Sequence, residues 1–275
     1  DLAYGGLFGG ELVILAGKPG SGKSAAALQI CEHVATSEPV LLTSLEMGCN
    51  EIHRRRLARG SGVDLTTLRR GGLSAEQRQD VVDAAERLKS ARLHILDAAN
   101  CGLPEIAREA RRIKHRENLG LIVVDYLQLL RADAGDSKSN RERQVAGLTR
   151  GLKCLARDLG IPVVVLSQLN RLTGDDEPRL PNLRESGAIE QDADVVMFVH
   201  RENYKDSEKT KLIVAKHRNG RPQSFPLTWD GPRFQFVESE WGGGADTDMG
   251  DYTGFPASDP DGFGPTSCAD ATSLD

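Results

Sequence analysis

A chain of 275 residues that is 39% hydrophobic can bury one large core or two small ones. It contains no run of roughly 18 apolar residues such as a membrane span needs, and no basic segment leads into an apolar stretch at its start, so the expectation is a soluble, cytoplasmic protein with no membrane partner. The net charge of −5 speaks against nucleic acid only until it is divided along the chain: residues 239–275 carry eight acidic groups and no Lys or Arg, and taking those eight from −5 leaves +3 for the remainder.

From the start of the chain, short apolar runs alternate with helical patterns, the signature of crossover units on a mainly parallel sheet. Asp1 is not a methionine, so the numbering is expected to begin inside a longer protein. Buried strands are predicted at Leu12 to Ala16, Val40 to Ser44, Leu93 to Leu96, Leu121 to Asp125, Pro162 to Ser167 and Val195 to Val199. Helices are predicted near Lys23 to Ala35, Ala75 to Lys89, Pro104 to Glu117 and Arg141 to Leu159. After Val199 the runs Lys211 to Lys216, Ser224 to Trp229 and Phe234 to Val237 leave no room for helices between them, so antiparallel strands should finish one edge of the sheet. The fold class is therefore α/β, with residues 1–238 as one domain. Residues 239–275, rich in Gly and Asp, cannot bury enough surface to offset ordering and are expected to be a disordered acidic tail. The cysteines Cys31, Cys49, Cys101, Cys154 and Cys268 are scattered singly, without the paired spacing of a zinc or redox site, and read as reduced, mostly buried thiols.

The chemistry starts at Gly17, Lys18, Pro19, Gly20, Ser21, Gly22, Lys23 and Ser24, a phosphate-loop pattern between an apolar strand and a helical run. Glycines let backbone N–H groups curl around phosphate oxygens, and the helix that follows adds its positive end. ATP is the ligand this pattern predicts, with Lys23 reaching the β and γ phosphates and the Ser24 hydroxyl holding Mg²⁺. Asp125 ends the strand Leu121 to Asp125, the end at which open α/β sheets bind ligands, and should also hold Mg²⁺, through water. Glu46 follows the strand Val40 to Ser44; position alone suits a carboxylate that polarises the attacking water as well as it suits a surface or helix-capping group. Gln168 ends another strand, where its amide could sense the γ phosphate or cap the strand. The Arg54, Arg55, Arg56 and Arg59 cluster fans around a helix at its spacing, which favours a solvated or subunit-contact face over DNA binding.

Other strings resemble the C-terminal, RecA-like domain of DnaB-type replicative helicases, over approximately Tyr4 to Glu238. They are Ser44 to Met47, Val124 to Leu129, Leu166 to Arg171 and Leu183 to Asp194, and a generic ATPase has no need of them. The resemblance implies a RecA-like P-loop NTPase fold and an ATP-driven motor that moves along single-stranded DNA, 5′ to 3′, as a hexameric ring of identical subunits. It implies that Glu46 is the catalytic carboxylate and Gln168 the phosphate sensor. It also implies that Lys216 and Arg218, in the string Lys216 to Gly220, enter the neighbouring subunit's site; a basic surface hairpin is the plainer alternative. Arg184, Glu185 and Gly187 match the loop that in this family faces the central channel and follows the DNA backbone, whereas unaided they read as a helix start. A primase and a helicase loader would engage through the family's N-terminal helical domain, which lies outside this sequence. Two further departures are His217 where Gln is expected and the Gly/Asp-rich tail. The rival functions are a RecA-like ATPase acting as a recombinase and a nucleotide-switched loading module, neither of which unwinds.

Overall fold

A computed structural model describes residues 6–97, 101–125, 141–169, 177–183, 186–203 and 206–239. In chain order its elements are β1 (Leu12–Gly17), α1 (Lys23–Val34), β2 (Val40–Ser44), α2 (Cys49–Ser61), α3 (Leu65–Arg70), α4 (Ala75–Lys89), β3 (Leu93–Asp97), α5 (Leu103–Glu117), β4 (Leu121–Asp125), α6 (Arg141–Leu159), β5 (Val163–Gln168), α7 (Ser186–Asp192), β6 (Val195–Asn203), β7 (Asp206–His217), β8 (Gln223–Asp230) and β9 (Gln235–Glu238).

The strands form one sheet in the order β3-β2-β4-β5-β1-β6-β7-β8-β9. The first six in that order run parallel, and β6 to β9 follow one another as antiparallel neighbours. Every strand predicted from the sequence is present, β1, β3 and β5 each running one residue further and β6 ending only at Asn203. The α/β fold with an antiparallel edge is as expected.

Alternation explains why the parallel strands read as unbroken apolar runs. Leu12, Ile14 and Ala16 face one side of the sheet with Ile122, Val124, Val163 and Val165, against Ile106 and Ile113 of α5 and Leu152 and Leu155 of α6. Val13, Leu15, Leu42, Val123, Val164 and Met197 face the other side, against Ala25, Leu28 and Cys31 of α1 and Ile52 of α2. Both sides are covered, so the alternation never reaches water. Each fully buried Leu or Ile contributes about 2 kcal/mol, which favours this one register over a slipped one.

Local signals set the helix ends. Asp64 accepts hydrogen bonds from the backbone N–H groups of Thr66 and Thr67 at 2.6 and 3.1 Å and starts α3. Ser74 and Gln77 exchange the two bonds of a capping box at the start of α4. The short helices α3 and α7 are additions to the sequence reading. Among the described residues, no helix is long and apolar enough to cross a membrane. Cys31 and Cys101 are buried, while Cys49 and Cys154 are half-buried. The tail beyond Ser239 lies outside the described residues.

One expectation is corrected. Arg56 is only 3% exposed; its Nε bonds Glu32 of α1 at 2.9 Å, and Arg59 pairs with the same carboxylate. Being i and i+3 on α2, both turn toward α1 rather than to solvent. Arg55 bonds Glu51 at 3.0 Å and lies 3.9 Å over the Phe234 ring, which leaves Arg54 as the exposed member of the cluster.

Candidate active site at the carboxyl edge of the sheet

All six parallel strands end at one edge, and the candidate residues collect there. Gly17 is in register with Gln168 on one side and Val199 on the other, and Ser44 is in register with Asp125. Because β5 lies between β4 and β1, Gln168 stands between the strand of Asp125 and the strand of the glycine loop.

The loop from Gly17 to Ser24 is closed by its own contacts. Lys23 Nζ donates to Gly17 O at 2.9 Å and to Lys18 O at 3.1 Å, and Ser21 N donates to Lys18 O at 3.1 Å. A Cβ on Gly17 would lie 2.5 Å from Ser21 Oγ and 2.8 Å from Val199 O, so only glycine lets the loop fold this tightly. Gly22 has φ +97°, and a Cβ there would meet Phe236 Cζ at 2.5 Å. Ser21 is buried, and its Oγ has no hydrogen-bond partner among the described residues.

Three charged groups interact at this edge. Burial pulls the Lys23 ammonium below its ordinary value, against the attraction of Asp125 and Glu46. Burial pushes the Asp125 carboxyl up to about 6; the Ser24 hydroxyl, which donates to it, and the Lys23 charge oppose the rise, while Glu46 adds to it. Asp125 is 4% exposed. Glu46 is exposed at the tip of a turn closed by Ser44, whose Oγ bonds Met47 O at 2.7 Å and accepts from Met47 N at 3.2 Å. Leu45 N bonds Asp125 O at 2.8 Å, tying that turn to β4.

An aromatic wall, missed by the sequence reading, backs the loop. Trp229 of β8 packs on Phe236 of β9 with centroids 4.8 Å apart and on Phe234 at 5.5 Å. Gln29 of α1 grips the Phe236 backbone with bonds of 2.9 and 2.7 Å. Arg201 of β6 lies 5.4 Å over the Trp229 ring and donates from Nη1 to Gly20 O at 3.3 Å. Only the sheet order brings the C-terminal strands to the glycine loop, and that order has no local sequence signal.

Lys216 and Arg218 lie elsewhere. Since β7 runs against β6, Lys216 pairs with Val196, and Arg218 N bonds Asp194 O at 2.9 Å, at the amino edge. Five residues of strand, roughly 17 Å, separate that level from Val199 beside the glycine loop. The sheet therefore keeps these cations away from Lys23 of the same chain. Gly187 is in the first turn of α7, whereas Arg184 and Glu185 lie outside the described residues, as do Tyr126 to Leu129, Asn170 and Arg171. An isolated bridge pairs Leu169, next to Gln168, with Leu183, next to Arg184.

A glycine loop between strand and helix, with an acidic strand end two strands away across an intervening polar one, defines a RecA-like P-loop nucleotide-binding domain. More narrowly, the chain belongs to the DnaB-like helicase C terminal domain family, whose model matches residues 1–238. It is 39% identical over 240 residues to the replicative DNA helicase DnaB of Geobacillus stearothermophilus, covering 84% of this chain and 53% of that protein. It is 38% identical over 240 residues to the replicative DNA helicase DnaC of Bacillus subtilis, with the same shares. Among solved structures, a DnaB-like replicative helicase described with its interactions with primase superposes with a TM-score of 0.80 at 31% identity, over 86% of this chain and 59% of the other. A second solved structure, of an isolated ATPase domain, superposes with a TM-score of 0.78 at 30% identity, over 84% of this chain and 85% of the other. The chain spans about half the length of the curated relatives it matches. Membership in the family implies use of a nucleotide.

Proposed function

We propose that this chain is the ATP-hydrolysing motor of a replicative DNA helicase, acting in the cytoplasm as a hexameric ring that moves 5′ to 3′ along single-stranded DNA and unwinds duplex at a fork. The observation that carries this reading is the separation of Lys23 from Lys216 and Arg218 across one sheet. A cation pair that far from its own phosphate loop can serve hydrolysis only from a second copy.

In this reading Lys23 neutralises the β and γ phosphates, and backbone N–H groups of Gly17 to Ser24 cradle them. The orphaned Ser21 hydroxyl gains an acceptor in a phosphate oxygen. Glu46 takes a proton from water as the water oxygen bonds to the γ phosphorus and the bond to the β–γ bridging oxygen breaks. Gln168 hydrogen-bonds the γ phosphate and reports its loss. Lys216 and Arg218 of the neighbour neutralise charge developing on the transferred phosphoryl group, so turnover requires assembly. Ser24 and Asp125 would hold Mg²⁺, and their chemistry fits: two hard oxygens share a buried site where the carboxylate lacks full compensation. When bound, the ion spreads the charge of the β and γ oxygens.

Arg184, Glu185 and Gly187 would follow the DNA backbone without reading bases. Primase and loader contacts would lie in a region outside this sequence. The test is particle imaging with a nonhydrolysable ATP analogue and oligo-dT, together with unwinding of a forked duplex. Rings and unwinding are expected, both with turnover abolished by Lys23→Ala; a monomer that hydrolyses ATP at full rate refutes the reading.

A further inference from the structure

Resting on the reading that Arg218 acts in a neighbouring site, the geometry points to Asp194 as the positioning residue that aims it. Asp194 follows α7, precedes β6 and is 6% exposed. Its two carboxylate oxygens have different work. Oδ2 accepts from Leu12 N at 2.7 Å and pairs with Lys153 Nζ at 2.5 Å; Lys153 also donates to Gly10 O at 2.8 Å. Those bonds fasten the start of β1 to α6, and packing alone explains them. Oδ1 faces Arg218, with Nη1 at 3.5 Å, while Arg218 N bonds Asp194 O at 2.9 Å. One residue thus fixes both the backbone and the guanidinium of Arg218.

The neighbouring contacts extend the seat. Arg218 Nη2 donates to Gln191 O and Lys216 Nζ to Glu190 O, the last carbonyls of α7, where a helix end favours cations. Arg218 remains 49% exposed at its side chain, held by its base with the head at the surface. Arg is a long side chain whose free rotamers cost about 2 kcal/mol to fix. A seat that removes this freedom before two copies meet leaves less ordering for the moment of reaction.

The test is Asp194→Asn in the full chain, with nucleotide and single-stranded DNA present. The Asn carbonyl can replace Oδ2 for Leu12 N, which turns its NH₂ toward the guanidinium and removes the anchor. The double variant Asp194→Asn/Lys153→Met removes both members of the buried pair and serves if the single variant unfolds. The expected result is a fall in kcat of between about 10- and 100-fold, with KM for ATP held within about twofold because the variant's own nucleotide loop is intact. Asp194→Asn should add little to Arg218→Ala. Mixed rings separate aiming from folding: Asp194→Asn subunits combined with Lys23→Ala subunits should regain turnover, since the latter lend intact Arg218 groups to the former's intact sites. Recovery with Arg218→Ala plus Lys23→Ala but none with Asp194→Asn plus Lys23→Ala overturns the inference alone. Recovery with neither overturns action in trans as well.

Discussion

Replacing Asp125 by Asn should make the domain more stable and, under the proposed mechanism, inactive. The carboxyl is 4% exposed, and its pKa is raised from 3.8 to about 6. A raised carboxyl pKa means that folding disfavours the charge, so this group's contribution is full below the unfolded value of 3.8 and is lost as pH rises through about 6. That difference of about 2.2 pKa units corresponds to about 3 kcal/mol at about pH 8. Asn keeps a carbonyl acceptor for the Ser24 hydroxyl and has no charge to desolvate. In urea titrations the variant should gain about 3 kcal/mol at about pH 8 and roughly half of that at about pH 5; at the higher pH its melting temperature should rise by about 6–12 °C. ATP with Mg²⁺ should stabilise the parent chain far more than the variant, because the parent carboxylate then meets a cation. A variant less stable than the parent at about pH 8, or a gain independent of pH, would refute the argument that burial dominates at this carboxylate.

Gly22→Ala forces a side chain into a left-handed backbone and against Phe236, so it should cost about 2 kcal/mol by thermal melting and weaken nucleotide binding. Glu32→Gln leaves the buried Arg56 and Arg59 guanidinium groups facing no carboxylate and should destabilise by about 3 kcal/mol in urea, an effect absent if that cluster is solvated. Arg184→Ala should weaken single-stranded DNA binding and lower the slope of log affinity against log salt by about one; an unchanged slope removes Arg184 from the phosphate contacts.

The strands were legible because burial on both faces writes them as runs such as Leu12 to Ala16 and Leu121 to Val124, bounded by polar or glycine residues at one end. The glycine loop was legible because its spacing is tied to a backbone shape that few other sequences adopt. Sheet order was not: nothing local to Val163 to Gln168 says that β5 inserts between β4 and β1, and its place next to Gly17 decides what Gln168 can touch. The same nonlocality hid the Trp229 and Phe236 wall behind Gly22. The inward turn of Arg56 and Arg59 was illegible for another reason: helical spacing puts them on one face of α2 but does not say what that face meets, and only the packing of α2 on α1 supplies Glu32. The Lys216 and Arg218 string read as basic, and its distance from the glycine loop emerges only once β7 is seen to return along β6.

That return has a consequence for assembly. Six strands running one way put every carboxyl end at one edge, so whatever a seventh, antiparallel strand carries at its end must emerge at the other. If Lys216 and Arg218 serve a phosphate, they join one copy's amino edge to another's carboxyl edge. Such a contact pairs unlike surfaces, and repeated from copy to copy it closes into a ring or runs on as a filament. The element beside the cations favours closure around a strand under the proposed reading. α7 is seven residues long, roughly 10 Å, with Gly187 in its first turn and the carbonyls holding Lys216 and Arg218 in its last. A strand gripped near that first turn would push on a helix too short to bend, and the cations seated at its far end would move with it toward or away from the neighbour's phosphate.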